Sequence, residues 1–285
     1  MMTSVPLSNG RQMPQIGLGV YLVSDVATCE SSVKSALEAG YRLIDTAVAY
    51  RNERAVGRGI RSSLVPRDEI FLTTKLWPSD YGPAKARSAI AGSVERLDSG
   101  PIDLLLLHQP VGDVRNAWAA MEDAVDQGMV RSIGVSNFTV ADLDRLLGHA
   151  RVAPVVNQVE LHPHWQQPDL LPYLSTHGIV AEAWYPLGHG SSKLVAEPAV
   201  AAAATAHGKS AVQVILRWHI QRGFVAIPKS TNPVHIASNI DVFDFELTST
   251  EMAGINALGK DRPMFRLPRW LMSAAMPLAR PRALP

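Results

Sequence analysis

Residues 102–108 read Ile-Asp-Leu-Leu-Leu-Leu-His. Apolar side chains fill consecutive positions here without alternating, as in a strand buried on both faces, and such strands belong to parallel sheets covered by helices. The stretch 102–107 is therefore a candidate strand, and seven further short apolar runs resemble it, at 16–19, 43–46, 70–74, 132–135, 155–158, 180–184 and 225–227. Helix-period stretches lie between them. The one at 31–39 stops at Gly40, 84–97 follows Pro83, 117–126 precedes Gly128 and 140–147 precedes Gly148. Residues 169–175 and 211–221 fit the same pattern, and the Ala-rich 199–204 is helical by propensity. Strand and helix alternating eight times is the pattern of a (β/α)8 TIM barrel. A doubly wound sheet usually carries a G-x-G-x-x-G turn, and none is present.

Ahead of the first run, Val5-Pro6-Leu7 and Gln12-Met13-Pro14 flank Ser8-Asn9-Gly10, and Asn-Gly predicts a β-hairpin. No low-complexity segment or linker divides the chain, so residues 1–285 read as a single α/β barrel domain. The tail is different. Six basic residues against Asp261 alone give 260–285 a net charge of +5, while the rest of the chain carries −4.

Composition excludes several functions. With 27 Lys and Arg against 26 Asp and Glu, the net charge of +1 offers no general attraction for nucleic acid or an acidic membrane. A content of 47% hydrophobic and 19% charged residues is that of a globular protein. The single Cys29 has no partner for an internal disulfide, which suits a reducing compartment. Residues 1–30 lack the basic start and long apolar run of a secretory signal, and no apolar run has the length of a membrane span. A cytoplasmic protein acting on a small molecule is expected.

Barrel active sites lie at the C-terminal ends of the strands. The polar residues at or just beyond the apolar runs are Asp45 and Tyr50, Lys75, His108, Ser136 and Asn137, Gln158 and Glu160, Trp184 and Tyr185, and Lys229 and Ser230. Each alone is an ordinary turn, cap or rim residue. Together, Asp45, Tyr50, Lys75 and His108 form an acid/base set. A tyrosine is a weak acid at neutral pH, with a usual pKa of about 10. A nearby ammonium is expected to lower that value, a carboxylate would keep the ammonium charged, and a histidine would orient a substrate oxygen. His162 and His164 make an H-x-H pair with no cluster of acidic or Cys partners in sequence, so no metal is expected.

Over residues 5–258 the chain resembles the aldo-keto reductases. The resemblance is carried by Gly40-Tyr41-Arg42-Leu43-Ile44-Asp45-Thr46-Ala47 with Tyr50-Arg51-Asn52-Glu53, by Thr74-Lys75-Leu76-Trp77, and by Leu107-His108-Gln109-Pro110. Gly134-Val135-Ser136-Asn137-Phe138, Asn157-Gln158-Val159-Glu160 and Ile227-Pro228-Lys229-Ser230 complete the set in order. The resemblance implies a monomeric barrel that reduces aldehydes and ketones with NADPH. By motif, Tyr50 is the general acid, Lys75 lowers its pKa, Asp45 pairs with Lys75, and His108 orients the carbonyl. Ser136, Asn137 and Gln158 would hold the nicotinamide carboxamide, and Trp184 would stack under the ring. Tyr185 stands where many members have Ser. Leu187 and Gly188, in the loop 186–191, would bring backbone N–H groups to the pyrophosphate. Lys229 and Ser230 match the 2′-phosphate contacts, and Asn239 the adenine contact.

Departures from the family pattern carry their own expectations. His235 stands where Arg is usual, and Ser238 where an acidic residue often sits. An imidazole lacks the permanent charge and fixed fork of guanidinium, so weaker discrimination against NADH is expected, rising at acidic pH. Tyr21, Trp77 and Gln109 match the substrate pocket, with Gln109 in place of a frequent Trp. An amide there opens space and adds hydrogen-bonding capacity, as in prokaryotic members that act on dicarbonyls, keto-sugars and keto acids of the diketo-gluconate type. The tail is expected to fold over the active-site face through residue 272, with Phe265 or Trp270 lining the pocket and Arg266 or Arg269 favouring anionic carbonyls, and to fray over 277–285. A membrane-binding tail is the weaker reading, because its prolines interrupt an amphipathic helix. The alternative function is a slow-turnover nicotinamide-sensing subunit acting on a protein partner, and the complete acid/base set stands against it. An isomerase or lyase would lack use for Ser136, Asn137, Gln158 and Trp184.

Overall fold

A computed structural model describes residues 3–260, 263–264 and 268–279. All eight expected strands form. After a hairpin of β1 (Ser4–Pro6) and β2 (Gln12–Pro14), the barrel strands are β3 (Leu18–Gly19), β4 (Leu43–Asp45), β5 (Phe71–Leu76), β6 (Leu104–Leu107), β7 (Ile133–Ser136), β8 (Val156–Glu160), β9 (Val180–Trp184) and β10 (Val225–Ala226). They pair in parallel in chain order. Parallel bridges Ile16–Ala226 and Gly19–Lys229 join the last strand to the first and close the barrel. At that seam a Cβ on Gly19 would lie 3.1 Å from the Ile227 carbonyl oxygen, so glycine permits the close approach.

The helices are α1 (Val26–Glu38), α2 (Glu53–Ser62), α3 (Pro83–Leu97), α4 (Val114–Asp126), α5 (Val140–Leu147), α6 (Leu170–Thr176), α7 (Ser192–Val195), α8 (Pro198–His207), α9 (Ala211–Gln221), α10 (Pro233–Ile240), α11 (Ser249–Asn256) and α12 (Arg269–Ala275). Side chains such as Ile44, Leu105 and Val135 join Val33, Ile90 and Leu143 of the helices in one continuous core. The alternate residues Leu43, Phe71, Leu104 and Val156 pack with Leu7 and Met13 of the hairpin in a second apolar cluster. The hairpin therefore seals the end of the barrel opposite the site, with Asn9 Nδ2 donating to Ser132 Oγ at 2.9 Å.

Strand β6 begins two residues later than the apolar run. Asp103 does not join the strand, because its carboxylate accepts from the Leu72 N–H at 3.0 Å and pairs with Arg67 and Arg131 at 2.8 and 3.0 Å. The tail differs from expectation as well. Over 277–279 the Ala279 carbonyl accepts from Trp77 Nε1 at 3.0 Å, and residues 280–285, the rest of the stretch expected to fray, lie outside the described residues. At its other end Met264 N–H donates to Glu160 Oε1 at 2.6 Å. Glu160 ends β8 and Trp77 follows β5, so Met264 and Ala279 are each tied to the C-terminal ends of the strands. Trp270 is 72% exposed and does not line a closed pocket, contrary to expectation. Phe265 and Arg266, and the side chain of Arg269, lie outside the described residues. No helix among the described residues is long and apolar enough to cross a membrane.

Candidate active site

Parallel register places the ends of β4, β5 and β6 side by side. Asp45 is the last residue of β4, and Lys75 lies one residue before the end of β5. His108 directly follows β6, its N–H donating to the Leu76 carbonyl at 3.0 Å. Tyr50 arrives on a tight turn, Val48–Tyr50, whose following residue Arg51 has φ 57°. That turn is held by Asn52, which accepts from Thr46 Oγ1 at 2.7 Å and donates to the Val20 and Val23 carbonyls at 2.9 and 3.1 Å.

Lys75 is the hub, fully buried with its three N–H donors each given a partner. Nζ contacts Asp45 Oδ1 at 2.6 Å, the Thr46 carbonyl at 2.8 Å and Tyr50 Oη at 3.3 Å. Burial raises the Asp45 carboxyl above its usual range, with Lys75 and Gln158 pulling it back. Burial, followed by the Asp45 charge, also holds the Tyr50 phenol well above its ordinary value. The expected lowering by Lys75 is not realised, because the ammonium is matched by Asp45 and the phenol is removed from water. His108 is driven the other way: burial, and then Lys75, push it well below its usual value, so its imidazole is neutral at pH 7. Its Nδ1 is buried without a hydrogen-bond partner among the described residues.

Aromatic rings continue from this cluster around the mouth. Tyr21 stands 5.0 Å from Tyr50, His108 5.8 Å from Tyr50, and Trp77 5.1 Å from His108, centroid to centroid. Tyr185 hydrogen-bonds Tyr21 and lies with its ring tilted against that of His189, centroids 4.6 Å apart. Burial pushes the Tyr185 phenol up to about 12. Gln109, predicted for the substrate pocket, is held through its backbone by Tyr81, and its Oε1 is buried without a partner among the described residues.

The predicted nicotinamide contacts converge on one side of the cluster. Trp184 Nε1 donates to Asn137 Oδ1 at 2.9 Å, and Asn137 Nδ2 reaches the His108 carbonyl and Ser136 Oγ at 3.2 Å each. Ser136 Oγ donates to the Gln158 carbonyl at 2.9 Å. Gln158 Nε2 donates to Asp45 Oδ2 and to Glu182 Oε2, both at 2.9 Å. Farther out, Lys229 is exposed after β10, and Ser230 Oγ accepts from the Asn232 N–H at 3.1 Å. Asn232 caps α10 by accepting from the Val234 N–H at 2.9 Å, His235 is exposed in the first turn, and Asn239 is buried on the inner face. Leu187 packs against the core, and Gly188 gives its N–H to the Tyr185 carbonyl at 2.8 Å. Gly188 is thus a turn residue whose N–H is held within the loop.

Residues 16–260 match the family model described as the Aldo/keto reductase family. The chain belongs to this family. It is 47% identical to a morphine 6-dehydrogenase of Pseudomonas putida, covering 89% of this chain and 90% of that protein. It is 45% identical to a glyoxal reductase of Bacillus subtilis, covering 90% of this chain and 92% of that protein. Among solved structures, an aldo-keto reductase of Bombyx mori in complex with NADP superimposes with a TM-score of 0.89 at 35% identity, over 95% of this chain and 97% of the other. This protein is accordingly an oxidoreductase of the aldo/keto reductase family.

Reading strand ends missed one polar residue of this aldo/keto reductase site. Glu182 lies inside β9, two positions before Trp184 and so on the same inward face, and is fully buried beneath Gln158. The signal was a lone charge in the apolar run Val180-Ala181-Glu182-Ala183-Trp184. Burial, then the neighbouring Asp45 charge, push its carboxyl up to about 8. Glu53 is a second buried acid, held by Thr74 Oγ1 and Arg96 Nε at 2.7 Å each. It braces the strand that carries Lys75.

Proposed function

We propose that this protein is an NADPH-dependent carbonyl reductase for small aldehydes and ketones, 2-dicarbonyls foremost, with Tyr50 as proton donor. The observation that supports this most directly is the buried Asp45–Lys75–Tyr50 chain, at 2.6 and 3.3 Å, beside a neutral His108. When bound, the nicotinamide supplies a hydride to the carbonyl carbon. The protein's residues do the rest. A neutral His108 has one N–H to offer a carbonyl oxygen without competing for the proton. Tyr50, kept protonated by its surroundings, gives its proton to that oxygen as negative charge develops there. An alkoxide is a stronger base than a phenolate, so the transfer runs downhill even from a phenol made less acidic. Lys75 lies 4.9 Å from the centre of the Tyr50 ring, where its charge meets the phenolate left behind.

The residues also fit the cofactor's other end. Exposed Lys229 and the Ser230 hydroxyl, just ahead of α10, offer a cation and a hydroxyl suited to a 2′-phosphate. Trp184 offers the flat face for the nicotinamide ring. The unpartnered Gln109 Oε1, on the residue after His108, favours substrates that bring a hydrogen-bond donor to it.

The test is oxidation of NADPH with glyoxal or methylglyoxal, run beside Tyr50→Phe. The variant is expected to lose at least about 100-fold in kcat, with NADPH affinity unchanged within about twofold. Equal turnover by both proteins would remove Tyr50 from the mechanism. Tight NADPH binding without turnover of any carbonyl would favour the slow-turnover sensing subunit.

A further inference from the structure

Gln158 is a predicted nicotinamide contact whose amide is held by two buried carboxyls. Both hydrogens of its amino group are committed, to Asp45 Oδ2 and Glu182 Oε2 at 2.9 Å each. The Asp45 carboxylate sets the orientation, since a flip would turn the amide oxygen onto Asp45 Oδ2, and Glu182 Oε2 takes the second N–H of the same amino group. The side-chain oxygen Oε1 is then the one atom of the Gln158 amide left to meet a ligand. It can accept a hydrogen bond and cannot donate one.

We propose that Glu182 is a positioning residue for the nicotinamide, holding Gln158 so that its carbonyl receives the N–H2 group of the cofactor's carboxamide. The inference rests on the NADPH reading above. With Asp45 alone, one Gln158 N–H would be left bare and the amide would lose half of its restraint.

The environment of Glu182 supports a role other than a structural ion pair. Buried Glu53 and Asp103 each pair with an arginine, through Arg96 in one case and Arg67 and Arg131 in the other. Glu182 Oε1, by contrast, is buried with no hydrogen-bond partner among the described residues. A bare oxygen costs less on a neutral acid than on an anion in a dry interior. The carboxyl is accordingly protonated near neutral pH, its pKa standing at about 8. Glu182 sits beside Gln158 in the parallel register, so the contact is built into the pairing of β8 and β9.

Two ligands separate this role from general loosening of the barrel. NADPH carries the nicotinamide, and 2′-phospho-ADP-ribose carries everything else. Dissociation constants for both would be measured by tryptophan fluorescence on wild type, Glu182→Gln, Glu182→Met and Glu182→Leu. The two apolar variants lack the acceptor, and running both guards against one failing to fold. They are expected to bind NADPH about tenfold more weakly, a loss of the size of one hydrogen bond, and 2′-phospho-ADP-ribose as wild type does. Glu182→Gln keeps an acceptor and is expected to restore NADPH binding. Unchanged NADPH affinity in the apolar variants, equal weakening for both ligands, or a Gln variant as impaired as the apolar ones would each overturn the proposal. A wild type that binds 2′-phospho-ADP-ribose but gains nothing from the nicotinamide would overturn it too. A wild type that binds neither ligand would instead remove the cofactor reading itself.

Discussion

Lys75 carries more of the site than any other single side chain. Its ammonium satisfies Asp45, holds the Thr46 carbonyl and stands 3.3 Å from the Tyr50 hydroxyl. Replacing it by methionine keeps the volume and leaves Asp45 buried without its counter-charge. Breaking such a pair is expected to cost about 3–5 kcal/mol of stability, and kcat should fall at least about 100-fold from the loss of charge beside Tyr50. Urea melts and steady-state rates on Lys75→Met check both, and a stable variant with no loss of rate would refute the role. Asp45, Tyr50, Lys75 and His108 were legible in the sequence because each follows or ends an apolar run, where a barrel exposes its chemistry. Glu182 was not, because it lies within a strand. The direction of the Tyr50 shift was not legible either. Charge neighbours can be guessed from spacing, whereas the removal of water comes from the whole packed barrel.

At the scale of elements, the strands were readable and several helices were not. Helix α2 carries Gly57 and Gly59, poor helix formers in isolation. In the fold, a Cβ at Gly57 would come within 1.9 Å of the Leu97 carbonyl oxygen, so the end of α3 packs directly on its backbone. Tertiary packing overrides propensity there, and a single sequence does not show it. The contacts of the tail, Met264 to Glu160 and Ala279 to Trp77, were not readable, because they are long-range. Helix α10 bears the cofactor prediction that belongs to this scale. His235 is exposed in its first turn, close in sequence to Lys229 and Ser230. His235→Arg adds a permanent forked cation there and is expected to raise the preference for NADPH over NADH about tenfold. Ratios of kcat/KM for the two cofactors in the variant and the unaltered protein test this, and an unchanged ratio would remove residue 235 from phosphate recognition.

For the whole molecule, the buried titratable groups set a pH window for stability. Glu182 stands near 8 in the fold against an ordinary value of 4.5. Between those values the unfolded chain has lost this proton and the native protein has kept it, so stability falls as pH rises from about 4.5 to 8. His219 is the opposite case. It is buried under the outer helices with Nδ1 and Nε2 on the Ile215 and Leu161 carbonyls at 2.8 and 3.1 Å, and burial lowers it to about 4. Below pH 6.5 the unfolded chain takes up a proton that the native protein refuses, so stability falls as pH drops from about 6.5 to 4. His108 adds to the same acid limb, its imidazole also held well below the ordinary value. Above about pH 6.5 only the Glu182 slope remains of these three, so maximum stability is expected near pH 6 to 6.5. The two variants separate the limbs. Glu182→Gln should flatten the decline between pH 6.5 and 8, a span worth up to about 2 kcal/mol, and leave the acid limb intact. Tyr50→Phe, which alters neither group, should retain both. Melting temperatures across pH 4 to 9 provide the measurement, and an alkaline limb that persists in Glu182→Gln would show that the carboxyl beneath Gln158 is already ionised in the native barrel.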